Sequence, residues 1–202
     1  MTKIKLCGLS RPCDIEFVNE IKPEYIGFVF AKKSRRYVTP QTAAQLKQLL
    51  YPKIQAVGVF VNEDEKKIAN LVNRGIFDVI QLHGDEDEDY ISRLKQYTDK
   101  PIIKAFRVET ASDISGAEQC SADYIMLDSG AGTGTAFDWN ILKNIHRPYF
   151  LAGGLSPVNV GKAVTQLHPF AVDVSSGIET GGKKDKEKMA EFVAAVRKRE
   201  KQ

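Results

Sequence analysis

Cysteine is scarce in this 202-residue chain. There are three, Cys7, Cys13 and Cys120, an odd number without a CxxC pair. Neither a disulfide framework nor a structural zinc site is expected, and a reducing cytoplasm fits best. Histidine is equally sparse: His83, His146 and His168 fall on separate segments, so no metal cage is expected. No apolar stretch approaches the ~20 residues of a membrane span, and the N-terminus lacks the pattern of a signal peptide, so no membrane partner is expected. Charge of one sign is not in excess either. Lys and Arg total 29 against 26 acidic residues, and the net +3 is spread along the chain apart from a basic C-terminal end. A nucleic-acid partner is therefore not indicated, and the tail "VRKREKQ" reads as a solvated helix end more readily than as a binding arm. The first apolar run ends "CGLSRP" rather than G-x-G-x-x-G, which argues against an open dinucleotide-binding sheet.

What is present is a repeat. Short apolar runs bounded by turn or cap signals occur at "IKLCG" (4–8), "YIGFVF" (25–30), "IQAVGVF" (54–60), "FDVIQLH" (77–83), "PIIKAFRV" (101–108), "DYIMLD" (123–128), "YFLAGG" (149–154) and "FAVDVSSG" (170–177). Most lack strict alternation and are rich in Val, Ile, Phe and Leu, as strands covered on both faces require. Helical segments lie between them. Thr39-Pro40 and Ser156-Pro157 offer N-caps followed by proline, and Asn62 with Glu65 has capping-box spacing. Eight strand–helix units, closed to remove both sheet edges, predict an α/β fold: a single (β/α)8 TIM barrel spanning residues 1–202 as one domain. A chain of this length can bury roughly 70% of its unfolded surface, so one core suffices.

In such a barrel the active site sits at the C-terminal ends of the strands. Cys7, Gln81, His83, Arg107, Asp128, Gly153, Gly154, Asp173, Ser175, Ser176 and Gly177 stand there, with "KKSRRY" (32–37) after the second strand. "AGGLSP" before a helix start, beside "VSSGIE", suits a phosphate held by backbone N–H groups, although two glycines can also simply make a tight turn. Arg36 is either a solvated loop charge or a planar fork for a substrate carboxylate. Asp128 either ties down loops or serves as a general acid or base. Cys7 is either inert packing or a thiol that takes a proton from carbon, with Asp128 as its partner at the same face.

The motifs "KLCGL", "GFVFAKKSRRYVTP", "VGVFVN", "QLHGDE", "LDSG…GTGTAFDW", "AGGLSPVNV" and "FAVDVSSGIETGGKKD" closely resemble the phosphoribosylanthranilate isomerase family of tryptophan biosynthesis, collinearly over nearly the whole chain. The resemblance implies a (β/α)8 barrel that converts N-(5-phosphoribosyl)anthranilate into 1-(2-carboxyphenylamino)-1-deoxyribulose 5-phosphate, an Amadori rearrangement without cofactor. By motif it implies Cys7 as general base, Asp128 as general acid and Arg36 as the anthranilate carboxylate's partner. The phosphate site would comprise Gly153, Gly154, Asp173, Ser175, Ser176 and Gly177, with Gln81 and His83 lining the pocket.

The expected partner is a small phosphosugar, and the protein a cytoplasmic monomer or homodimer. The stretch after Asp128, with Gly130, Gly132 and Gly134, reads as a mobile lid or as a plain surface loop. A histidine-pathway isomerase, which performs the same rearrangement on an aminoimidazole substrate, usually carries aspartate where this chain has Cys7. A metal-dependent epimerase would need more converging histidines, and a phosphate-binding barrel without activity would not need both Cys7 and Asp128.

Overall fold

A computed structural model describes residues 1–128 and 139–199. Eight parallel strands close into a barrel: β1 (Lys3–Cys7), β2 (Tyr25–Val29), β3 (Gln55–Phe60), β4 (Val79–Leu82), β5 (Ile102–Arg107), β6 (Tyr124–Asp128), β7 (Tyr149–Ala152) and β8 (Ala171–Val174), with β8 pairing back onto β1. The helices outside them are α1 (Pro12–Ile21), α2 (Pro40–Leu49), α3 (Glu65–Asn73), α4 (Glu88–Lys95), α5 (Ala111–Gln119), α6 (Val160–Leu167) and α7 (Lys186–Arg199). A 3-10 turn, Trp139–Asn144, lies between β6 and β7. Among the described residues no helix is long and apolar enough to cross a membrane.

The strands alternate after all, but between two covered faces. Outward residues such as Ile4, Leu6, Ile26, Phe28, Ile80 and Leu127 join the helices in one large apolar layer. Inward residues Tyr25, Val57, Val79, Ile103, Met126 and Phe150 fill the lower barrel. Lys3 lies 4.6 Å above the Phe170 ring, and Phe170 stacks on Tyr124, closing the N-terminal end. With period two, the next inward positions toward the C-terminal end are Cys7, Val29, Gln81 and Asp128, so the polar residues fall on the floor of the mouth.

Two helix starts differ from expectation. The cap of α3 is Asp64, whose carboxylate accepts from the Lys67 N–H at 3.0 Å. Asn62 adopts a left-handed φ of 50° and instead joins two loops, its Oδ1 accepting from the Asp85 N–H at 2.7 Å. Helix α6 begins at Val160 and not at Ser156-Pro157. Asn159 holds the intervening turn, accepting from the Ser156 N–H at 2.8 Å and donating to the Gly154 carbonyl at 2.9 Å. At Thr39 the structure agrees with the sequence, since its hydroxyl accepts from the Thr42 N–H at 3.1 Å ahead of Pro40. The glycine-rich stretch after Asp128 and the end of the basic tail lie outside the described residues.

Candidate active site

The mouth of the barrel holds a cavity of about 430 Å³, within the usual range of small-molecule sites. Cys7, Arg36, Gln81, His83, Asp128, Gly153, Gly154, Asp173, Ser175 and Ser176 all line it. Arg107 instead pairs with Glu109 at the exposed rim, at 2.8 Å.

Cys7 ends β1 directly opposite Gly27 of β2. A Cβ built on Gly27 would lie 2.7 Å from the Cys7 sulfur, so glycine there makes room for the thiol. The thiol otherwise packs against Val29 and Val59. Burial pushes its pKa up, and Asp173 adds to that, while the nearby Lys5 and Lys184 ammonium groups pull it down. Gly8 follows with φ 81°, a left-handed conformation suited to glycine, and the Arg36 side chain lies close over it. Glycine is therefore demanded at two positions, at Gly27 by the sulfur's seat and at Gly8 by the passage of Arg36.

Asp128 ends β6 across the mouth. His83 Nε2 stands 3.5 Å from its Oδ2, and His83 Nδ1 lies 2.8 Å from Gln81 Nε2. An amide donating to Nδ1 leaves Nε2 as the ring nitrogen turned toward the carboxylate. Gln81 and His83 thus form a chain leading to Asp128, beyond lining the pocket. Gln81 Oε1 is buried and without a hydrogen-bond partner among the described residues.

Arg36 is neither solvated nor fully free. Its Nε donates to Glu179 Oε1 at 2.6 Å and its Nη2 to Glu179 Oε2 at 2.8 Å. Glu179 also accepts from Lys184 Nζ at 2.6 Å. A two-residue hairpin brings these two together. Glu179–Thr180 (β9) and Lys183–Lys184 (β10) pair around Gly181 and Gly182, whose φ values of 58° and 77° suit a type I′ turn, and the register sets Lys184 against Glu179. Burial alone would push the Glu179 carboxyl up. The hydrogen bonds and charges of Arg36 and Lys184 outweigh it and hold the group at about 2.

Also lining the cavity, Gly153 and Gly154 turn with φ 92° and 61°, and Ser176 opens a 3-10 turn over Ser176–Ile178. A Cβ on Gly177 would lie 1.9 Å from the Leu155 carbonyl oxygen, so the loops after β7 and β8 touch there through bare backbone. Asp173 departs from the group in which the sequence placed it. Its carboxylate, an acceptor that would repel a phosphate, takes the Lys5 ammonium at 2.6 Å.

Sequence reasoning missed Lys5, Glu179 and Lys184. Lys5 sits inside an apolar run, and a charged residue there was itself the available signal. Glu179 is 143 residues from Arg36, and only the Gly181-Gly182 turn hinted at the hairpin.

A family model described as "PRAI: N-(5'phosphoribosyl)anthranilate (PRA) isomerase" matches residues 4–195. The N-(5'-phosphoribosyl)anthranilate isomerase of Endomicrobium trichonymphae is 46% identical over 202 residues, covering 98% of this chain and 99% of the relative. The phosphoribosyl anthranilate isomerase of Thermotoga maritima superposes with a TM-score of 0.91 at 34% identity, over 98% of this chain and 100% of its own. A phosphoribosyl anthranilate isomerase in complex with reduced 1-(o-carboxyphenylamino)-1-deoxyribulose 5-phosphate superposes with a TM-score of 0.88 at 34% identity, with the same coverage.

Proposed function

The chain belongs to the N-(5'-phosphoribosyl)anthranilate isomerase family, and from that membership we propose that Cys7 and Asp128 are the general base and general acid of an Amadori rearrangement at the barrel mouth. The enzyme is an isomerase of tryptophan biosynthesis that converts N-(5-phosphoribosyl)anthranilate into 1-(2-carboxyphenylamino)-1-deoxyribulose 5-phosphate. The observation that carries the assignment of roles is that the thiol and the carboxyl group, from strands far apart in sequence, line one cavity between an arginine fork and a glycine-lined turn.

Asp128 gives its proton to the furanose ring oxygen as the bond from that oxygen to C1 breaks, leaving an iminium at C1. The Cys7 thiolate then removes the proton on C2, and the C–H electrons form the C1=C2 bond of an enolamine while neutralising the nitrogen. Tautomerisation moves one proton onto C1 and one off the C2 hydroxyl, which yields the ketone and restores both protein groups. His83 Nε2, 3.5 Å from Asp128, is placed to donate to the carboxylate left after the first step. Backbone N–H groups of Gly153, Gly154, Ser176 and Gly177, with the Ser176 hydroxyl, hold the phosphate, while the Ser175 hydroxyl donates to the Cys7 carbonyl at 3.1 Å, and Arg36 holds the anthranilate carboxylate. Both anchors persist through the reaction, so they position the sugar and leave the barrier to the proton transfers. In this reading the partner is the small phosphosugar alone, in the cytoplasm, for a monomer or homodimer.

The test is to supply phosphoribosylanthranilate and the corresponding aminoimidazole substrate of histidine biosynthesis and follow both. Turnover of the first is expected, falling by at least ~10²–10⁴-fold in Cys7→Ser and in Asp128→Asn. Near-normal turnover in either variant removes that residue from its role.

A further inference from the structure

Barrel interiors are filled chiefly by branched apolar side chains, yet β1 carries Lys5 inward with no side-chain exposure at all. The mechanism above does not use it. Its register partner on β8 is Asp173, and the two side chains meet at 2.6 Å. A buried pair of this kind is seldom worth more to stability than a well-packed apolar pair of the same volume, so folding alone does not account for it.

Two residues further along the same strand, and on the same inward face, stands Cys7. The Lys5 ammonium acts on the Cys7 thiol by charge, while its hydrogen bond goes to Asp173. The surroundings of the sulfur divide cleanly. Among the described residues, β2 and β3 set Gly27, Val29 and Val59 beside it, which offer a thiolate nothing. The charged groups that act on it are Lys5 from its own strand, Asp173 from β8, Lys184 from the β9–β10 hairpin and Arg36 from the loop after β2. Glu179, bound to both Arg36 and Lys184, completes the set. Among these described groups the cations Lys5, Lys184 and Arg36 outnumber the carboxylates Asp173 and Glu179, and Asp128 stands at the same cavity at the end of β6. Lys184 and Arg36 are committed to Glu179, and Lys5 is the cation set beneath the sulfur within the barrel.

We propose that Lys5 is a positioning residue for the reaction, a buried ammonium, held by Asp173, that stabilises the thiolate of Cys7. The proposal rests on Cys7 being the base, but it is tested without turnover. Alkylation of Cys7 by iodoacetamide, followed peptide by peptide so that Cys13 and Cys120 are read separately, gives the ionisation profile of Cys7 itself. In Lys5→Met the midpoint of that profile should rise by about one pH unit or more, which slows Cys7 alkylation about tenfold at neutral pH. The acid limb of kcat/KM should move by the same interval, so that raising the pH restores much of the lost activity. An unchanged Cys7 profile in folded Lys5→Met overturns the proposal and leaves Lys5 as Asp173's structural partner.

If Lys5→Met does not fold, the unsubstituted protein answers. The Lys5 ¹⁵Nζ resonance should step at the pH where the Cys7 ¹³Cβ resonance titrates, and the absence of a shared step overturns the proposal. Full turnover in Cys7→Ser would instead remove the thiol from catalysis while leaving the Lys5–Cys7 coupling measurable.

Discussion

Arg36 grips Glu179 side-on, through Nε and Nη2, and so leaves its end-on edge, the pair of Nη groups, for a second carboxylate. A guanidinium has five N–H donors, and Glu179 takes two of them. The plane of the fork is therefore fixed before substrate arrives, which lessens the ordering cost of binding. Arg36→Met should raise KM for phosphoribosylanthranilate with a much smaller effect on kcat, because the lost contact exists in ground and transition states alike. Arg36→Lys should restore little, since one ammonium cannot present two parallel donors to each of two carboxylates. Steady-state kinetics of the two variants check this, and an unchanged KM in Arg36→Met assigns the carboxylate elsewhere.

The same pair gives stability a defined pH dependence. The Glu179 side chain is only 8% exposed, which works against its charge, yet Arg36 and Lys184 bring its pKa down from 4.5 to about 2. A depressed carboxyl group stabilises the fold fully above its unfolded value, near 4.5, and that contribution is lost as the pH falls from there toward about 2. The contribution at neutral pH is on the order of 3 kcal/mol. Urea unfolding of the protein and of Glu179→Gln should show a gap in midpoint that is constant above about pH 6 and narrows steadily on acidification. A gap independent of pH would mean that the carboxylate's charge contributes nothing.

The barrel was legible because eight apolar runs with both faces covered leave few other folds, and because cap residues such as Thr39 lie next to their helices. The ends of the runs were less so. "YFLAGG" reads as a strand to Gly154, but Gly153 leaves the extended region with φ 92° and β7 stops at Ala152. Phe77 reads as strand and instead packs its ring with Phe30 and Phe60 ahead of β4. In the site, the placement of Cys7 and Asp128 at one barrel mouth was legible because each closes an apolar run, whereas the residues alone left both roles open and only the family resemblance proposed them. Asp173 was placed by its neighbours Ser175 to Gly177, whereas its side chain is one strand position lower on the inward face, where it meets Lys5. Glu179 and Lys184 were hidden because a hairpin far along the chain delivers them to Arg36, and charge pairing at that separation has no local pattern.

A second buried ion pair lies on the outer side of the same rim. Lys104 of β5 donates to Glu86 at 2.9 Å and to the Gly84 carbonyl at 2.6 Å, and Glu86 also accepts from the N–H groups of Asn62 and Gly84. One carboxylate thereby joins the loops after β3 and β4 to strand β5, with side-chain exposures of 6% for Lys104 and 1% for Glu86. Glu86→Ala strands a buried ammonium and two backbone donors, and should cost about 3–5 kcal/mol in urea unfolding. The Lys104→Met/Glu86→Leu double variant should recover part of that loss, because an apolar pair leaves no buried charge behind. A single variant as stable as the parent would show that water reaches the pair.

Gly27 provides the most local test of the thiol's seat. Its carbonyl accepts from the N–H groups of Gly8 and Leu9, at 2.9 and 3.1 Å, so the backbone around the sulfur is tied on both sides and cannot easily give way. A methyl group placed there meets the Cys7 sulfur at 2.7 Å, well inside contact distance, together with the Cys7 backbone at 3.2 Å. Overpacking of this kind typically costs about 1–3 kcal/mol. The sulfur is the more mobile party, because rotation about one bond moves it whereas the backbone is held by the barrel ladder. Gly27→Ala should therefore fold, with a midpoint lowered by about that amount, and turn the thiol away from the centre of the cavity. Its kcat should fall by at least tenfold while KM, set by Arg36 and the glycine loops, changes little. A variant that loses stability but keeps kcat would show that proton abstraction tolerates a displaced sulfur, or that another group removes the C2 proton.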